Sequence, residues 1–120
     1  MRLTVVIDCS DPAALLPFWT AALDYREAEA PSGYAALVPP ERDGRPVVLL
    51  QAVPEPKSVK NRVHLDVHPD DPHAHVELLE SLGASRLGGW VEEEVDTAGV
   101  RWLVMADPEG NELCVVEHVR

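Results

Sequence analysis

The chain is short of cysteine, positive charge and aromatic side chains, and it has no long apolar run. Each shortage excludes something. The two cysteines, Cys9 and Cys114, form neither a CxxC metal spacing nor a disulfide framework, so both are expected to be small buried apolar residues. Lys and Arg number 10 against 21 Asp and Glu, a formal charge of −11, and a field of that sign repels phosphate backbones and anionic membranes; nucleic acid is not an expected partner. Nothing approaches the roughly 20 consecutive apolar residues of a membrane span. The first residues lack a signal-peptide layout, so a cytoplasmic protein with no membrane partner is expected. With only three Trp, two Tyr and one Phe, the position of each Trp carries weight.

What is present is 120 residues, 46% of them apolar, enough for one domain with its own core. Its organising stretch is Asn61-Arg62-Val63-His64-Leu65-Asp66-Val67-His68, followed by Asp71-Pro72. Val63, Leu65 and Val67 alternate with His64, Asp66 and His68, which predicts a half-buried strand over 62–68 with its ionisable residues on one face. Asp71 reads as a helix N-cap and Pro72 as the first helical residue. The same pattern occurs at an offset of 60: Thr4 falls on His64, Asp11 on Asp71, Pro12 on Pro72, and Phe18-Trp19 on Leu78-Leu79. The chain therefore reads as two copies of one unit.

In order, the first copy reads as strand 3–8 and helix 12–24, with Leu15, Phe18, Trp19, Ala22 and Leu23 on one face. Pro17 predicts an irregularity in that helix, not a break. Strands follow at 26–30, 34–38 and 46–53. Residues 54–61, with Pro54 and Pro56, read as an extended linker. The second copy reads as strand 62–68, helix 72–82 ended by Gly83, and strands within 85–95, 100–106 and 112–117. Asp96 to Gly99 and Asp107 to Asn111 read as turns.

Two βαβββ halves, Phe18-Trp19 in the first helix, Gln51 late in the fourth strand, the Asn61 to Asp66 stretch and the Asp107-Pro108-Glu109-Gly110-Asn111 turn together resemble the vicinal oxygen chelate superfamily. Within it the chain is most similar to the small glyoxalase-like and bleomycin-resistance-like proteins. The resemblance implies an α+β fold in which two paired βαβββ modules, 1–53 and 62–120, form a curved eight-stranded mixed sheet around a cleft with the helices outside. It also implies a homodimer and a small organic molecule bound in the cleft. Many members hold a divalent metal through His and Glu side chains on the first and last strands of each half. Carried over by position, those ligands fall here on Thr4, Gln51, His64 and Cys114, of which His64 alone is a usual ligand and Gln51 a weaker oxygen donor. Zn²⁺ takes imidazole and thiolate, whereas Mg²⁺ and Mn²⁺ prefer carboxylates. The expected cofactor is therefore none, or a divalent metal touching His64 and Gln51.

Several residues keep two readings. His64 is a metal ligand or general base, or a hydrogen-bonded cleft residue beside Asp66 and His68. Glu112 shares a face with Cys114 and Val116, and so either supplies the missing carboxylate or is solvated after its turn. Trp102 and Trp90 line the cleft and stack a planar ligand, or pack in the core. His73, His75 and the run Glu92-Glu93-Glu94 are expected at the surface. Two functions stay open by resemblance: an enzyme with isomerase, lyase or dioxygenase-type chemistry on an oxygen-bearing substrate, and a non-catalytic binding or sequestering protein without metal. A third reading is a dimerisation unit with a vestigial cleft.

Overall fold

Both helices begin where their Asp-Pro pairs require. Asp11 Oδ1 accepts from the Ala14 N–H at 3.3 Å and Asp71 Oδ1 from the Ala74 N–H at 3.1 Å, each followed by a proline whose missing donor costs nothing in the first turn. The computed structural model describes residues 1–93 and 99–119. Glu94 of the acidic run and residues 96–98 of the turn read at 96–99 lie outside the described residues.

The fold is α+β, with two helices and nine strands among the described residues, and it divides into two compact units, Met1–Ser58 and Val59–Arg120. The first holds β1 (Thr4–Cys9), α1 (Pro12–Leu23), β2 (Arg26–Ala28), β3 (Tyr34–Val38) and β4 (Val47–Ala52). Its sheet order is β1-β4-β3-β2, with β1 parallel to β4 and the other pairs antiparallel. Leu15, Phe18, Trp19 and Ala22 of α1 are buried, as are Ala35, Leu37, Val48 and Leu50 of the sheet. Phe18 and Trp19 meet edge to face at 5.1 Å. Helix α1 runs unbroken through Pro17 and ends at Asp24 in a left-handed conformation (φ 53°).

The second unit repeats the plan with β5 (Leu65–Val67), α2 (Pro72–Ser81), β6 (Ser85–Arg86), β7 (Val91–Glu93), β8 (Val100–Ala106) and β9 (Glu112–His118). Here β5 is parallel to β9, β9 antiparallel to β8, and both β6 and β7 lie along the other side of β8. The strand read across 85–95 is thus one strand in two pieces. Its register against β8 moves by two residues between Arg86, opposite Met105, and Val91, opposite Trp102. Gly88, at φ 101°, lies in that interruption, where a backbone without Cβ takes the left-handed turn. Val76 and Leu79 of α2 are buried, with Leu103, Met105, Leu113 and Val115 the buried residues of the sheet.

Helix α2 ends in a full Schellman motif. The Gly83 N–H bonds the Glu80 carbonyl and the Ala84 N–H bonds the Leu79 carbonyl, with Gly83 at φ 98°. Between β8 and β9, the Asp107 carboxylate accepts from the Glu109 and Asn111 backbone N–H groups and from the Asn111 side chain, which makes the pentapeptide turn self-satisfied although Asp107 and Asn111 are buried.

The strand expected over 62–68 is shorter, Leu65–Val67, and Val63 is 82% exposed instead of sharing its apolar face. The reason lies in Lys60 and Asn61, which belong to the second unit and not to a free linker. The buried Glu112 carboxylate accepts from Lys60 Nζ at 2.6 Å and from the Asn61 N–H at 2.9 Å, while Asn61 Oδ1 accepts from the Glu112 N–H at 3.2 Å. Those bonds take the place of ladder bonds there, and pairing begins only at Leu65, opposite Leu113.

Candidate functional site

Alternation along β5, β8 and β9 sends one set of side chains toward α2 and the other to the opposite face of the sheet. On that opposite face a hollow of about 480 Å³ is lined by His64, Asp66 and His68, by Cys114, Val116 and His118, and by Val100 and Trp102. Ladder register brings the groups together: Asp66 lies opposite Cys114, Trp102 opposite Val116, and Val100 opposite His118. One side of the hollow is therefore an apolar wall of Val100, Trp102 and Val116. The other is a strip of ionisable groups.

Two clusters make up that strip. In the first, His64 Nε2 stands 3.4 Å from Asp66 Oδ1, and donor atoms of His64, Asp66 and Cys114 all lie within 4.8 Å of one another. Burial pushes the Cys114 thiol up to about 11, and the Asp66 carboxylate, which hydrogen-bonds it, pushes in the same direction. The thiol is thus protonated and unreactive at neutral pH. In the second, His68 Nδ1 and His118 Nε2 are 2.8 Å apart, with the rings stacked at 25° and 5.1 Å between centroids. One imidazole donates and the other accepts, so the pair shares a proton.

A family model described as a glyoxalase-like domain matches residues 4–116. The chain belongs to the glyoxalase-like family. This bears out the resemblance to the vicinal oxygen chelate superfamily. Solved structures agree on the fold: a glyoxalase/bleomycin resistance protein/dioxygenase family enzyme from Burkholderia phytofirmans is 18% identical, with 97% of each chain covered and a TM-score of 0.74. A superfamily member from Sphaerobacter thermophilus is 17% identical over 98% of this chain and 97% of its own, at 0.70. A glyoxalase/bleomycin resistance protein/dioxygenase from Alicyclobacillus acidocaldarius is 13% identical over 100% and 92%, at 0.69. A search of curated proteins finds no match.

Of the four positions expected from the resemblance, His64 and Cys114 meet in the second unit, where Asp66 joins them. Thr4 and Gln51 are in the first unit, on one face of its sheet: Thr4 pairs with Val47, and Gln51 lies between Asp8 and Tyr34. The donor set of imidazole, carboxylate and thiol suits Zn²⁺, three protein ligands leaving one position open. A bound cation would also favour the thiolate that burial and Asp66 now oppose. Mg²⁺ and Ca²⁺, which take oxygen shells, fit this trio poorly.

The remaining candidates separate. Trp102 lines the hollow. Trp90 instead packs against His73, the rings tilted at 41° with centroids 5.0 Å apart, and lies under the Arg101 guanidinium, on the side facing α2. There Glu117 Oε2 accepts from Arg101 at 2.6 Å and pairs with His73 at 3.2 Å. Glu112 lies on the same face as Cys114, but its carboxylate is buried and taken by Lys60 and Asn61 instead of being solvated. His118 was not singled out by sequence reasoning; the period-two series Glu112, Cys114, Val116 extends to it and was the available signal.

Proposed function

We propose that this protein binds a small organic molecule with an apolar, planar portion in the hollow of its second unit. The carrying observation is the pairing, in one space of about 480 Å³, of a Val100, Trp102 and Val116 wall with an ionisable strip of His64, Asp66, His68 and His118. Volume and composition are those of a small-ligand pocket, apolar area giving affinity and a few polar groups giving orientation. Gln51 and Thr4, which share a face of the first unit's sheet, are candidate ligand contacts on that unit. The protein acts in the cytoplasm, as a homodimer, and sedimentation as a monomer at micromolar concentration would contradict that last element. The binding test is saturable uptake of the fluorescent probe 1-anilinonaphthalene-8-sulfonate. Trp102→Ala and Val116→Asp should each weaken it, and binding indifferent to both substitutions sinks the reading.

A second reading, a metal-dependent enzyme, is favoured by the convergence of the His64, Asp66 and Cys114 donors within 4.8 Å. In it the ion supplies Lewis acidity toward a substrate oxygen, and Asp66 or His64 moves a proton. Isomerase, lyase or dioxygenase-type chemistry is the class the family suggests, although fold alone does not grant activity. Elemental analysis separates the two: stoichiometric zinc lost in His64→Ala supports the enzyme, and no zinc above background supports the metal-free binding protein.

A further inference from the structure

We propose that His68 and His118 form a divalent-metal site of their own, for borderline ions such as Zn²⁺, Ni²⁺ or Cu²⁺, separate from the His64, Asp66 and Cys114 trio. The two residues are 50 apart in sequence and sit on strands locked side by side by the β5–β9 ladder. Counting from Asp66 and Cys114, they lie two and four residues further along parallel strands, on the order of 7–13 Å by strand rise.

The geometry is close to that of a chelate. Zn–N bonds of about 2.0–2.1 Å in a tetrahedral shell set neighbouring ligand nitrogens roughly 3.3 Å apart. His68 Nδ1 and His118 Nε2 are at 2.8 Å, so opening the pair by about half an ångström replaces the shared proton with a cation. Both side chains are exposed and can make that movement. The two rings approach from different strands, so most of the ordering is done before an ion arrives.

Electrostatics and donor chemistry choose the ion. Among the described residues no Lys or Arg lines the hollow, the Asp66 carboxylate shares its face, and the chain as a whole carries −11. Imidazole nitrogen selects zinc, nickel and copper over magnesium and calcium. Among the described residues the only group of three metal-ligating side chains is the His64 trio, so the His68–His118 site offers two protein ligands and leaves the other coordination positions open. An organic ligand in the same hollow would fill them, which couples ion binding to ligand binding.

The test is calorimetric titration of the full chain, prepared without a polyhistidine tag, with Ni²⁺. Loss of even an outer-shell partner costs a metal roughly tenfold or more in affinity. His68→Ala and His118→Ala should therefore each weaken the ion by about tenfold or more, while the double substitution Asp66→Asn, Cys114→Ser, which removes the trio and a nearby negative charge, weakens it less than either imidazole substitution. The proposal is overturned if both imidazole variants bind Ni²⁺ as the parent does, if the double substitution abolishes binding, or if the parent takes up no Ni²⁺. Should either His variant fail to fold, ¹⁵N imidazole spectra of the parent titrated with Zn²⁺ decide: both rings shifting together to a stoichiometric end point supports the site, and unmoved His68 and His118 resonances refute it. Retention of the Ni²⁺ isotherm by Trp102→Ala separates this outcome from that of the organic-ligand proposal.

Discussion

Glu112, buried at the head of β9, is joined to Lys60 by a 2.6 Å ion pair that spans 52 positions of sequence. Together with the reciprocal bonds to Asn61 it fastens the start of the second unit to its last strand. Glu112→Ala leaves the Asn61 N–H without its acceptor and opens a polar void, at an expected cost of about 1–3 kcal/mol. Urea denaturation measures that loss, and hydrogen exchange should show faster exchange at the Asn61 amide. An unchanged midpoint would mean that the clasp contributes nothing to stability.

Cys114 should resist alkylation. With its thiol pushed up to about 11 from an ordinary 9.0, it carries about a hundredfold less thiolate than a free thiol at pH 8. In a Cys9→Ala background, iodoacetamide should modify the native protein far more slowly than the urea-unfolded chain. The sign for stability follows: between about 9 and 11 the unfolded thiol has lost its proton and the folded one has kept it, so stability falls as pH rises through that window and levels off above it. Cys114→Ala should remove that slope.

Glu117 makes the opposite contribution, at acid pH. The Arg101 hydrogen bond holds its carboxyl below the usual carboxylate range, burial opposes this, and His73 adds to the lowering. A depressed carboxylate stabilises the fold above its unfolded value and loses that contribution as pH falls through its folded value. Wild type should therefore lose stability more steeply than Glu117→Gln on acidification below about pH 4.5. Denaturation midpoints between pH 6 and 3 give the comparison, and parallel curves would refute it.

Gly83 and Gly44 offer a matched pair. Both are left-handed, at φ 98° and 87°, but a Cβ on Gly83 would stand 3.1 Å from Pro108 Cγ, whereas one on Gly44 meets nothing within 4 Å. Gly44→Ala should cost about 1 kcal/mol from backbone strain alone. Gly83→Ala should cost more, about 2 kcal/mol, because strain and crowding act together at the α2 terminus. Thermal melts of the two variants test the order.

Much of the architecture was legible because local chemistry and tertiary need agree. Asp11-Pro12 and Asp71-Pro72 cap real helices, and the turn from Asp107 is held by hydrogen bonds among its own residues. What sequence reading missed depends on distant partners. Alternation alone could not tell that Asn61 spends its polar groups on Glu112, and so it began the strand at Arg62 instead of Leu65. It grouped His64, Asp66 and His68 correctly on one face but left out His118, whose place beside His68 depends on which strand neighbours β5. Trp90 was offered as lining the cleft or packing in the core; it packs against His73 and Arg101 and does not line the hollow.

The three indoles occupy three different surroundings. Trp19 is sealed in the first unit, Trp90 sits against an imidazole and a guanidinium, and Trp102 looks into the hollow. Each should therefore emit from its own surroundings: Trp19 in a blue-shifted band, Trp90 altered by the imidazole and guanidinium beside it, and Trp102 open to external quenchers. Single-tryptophan versions would turn the chain into three optical gauges, one for each compartment, without an added dye.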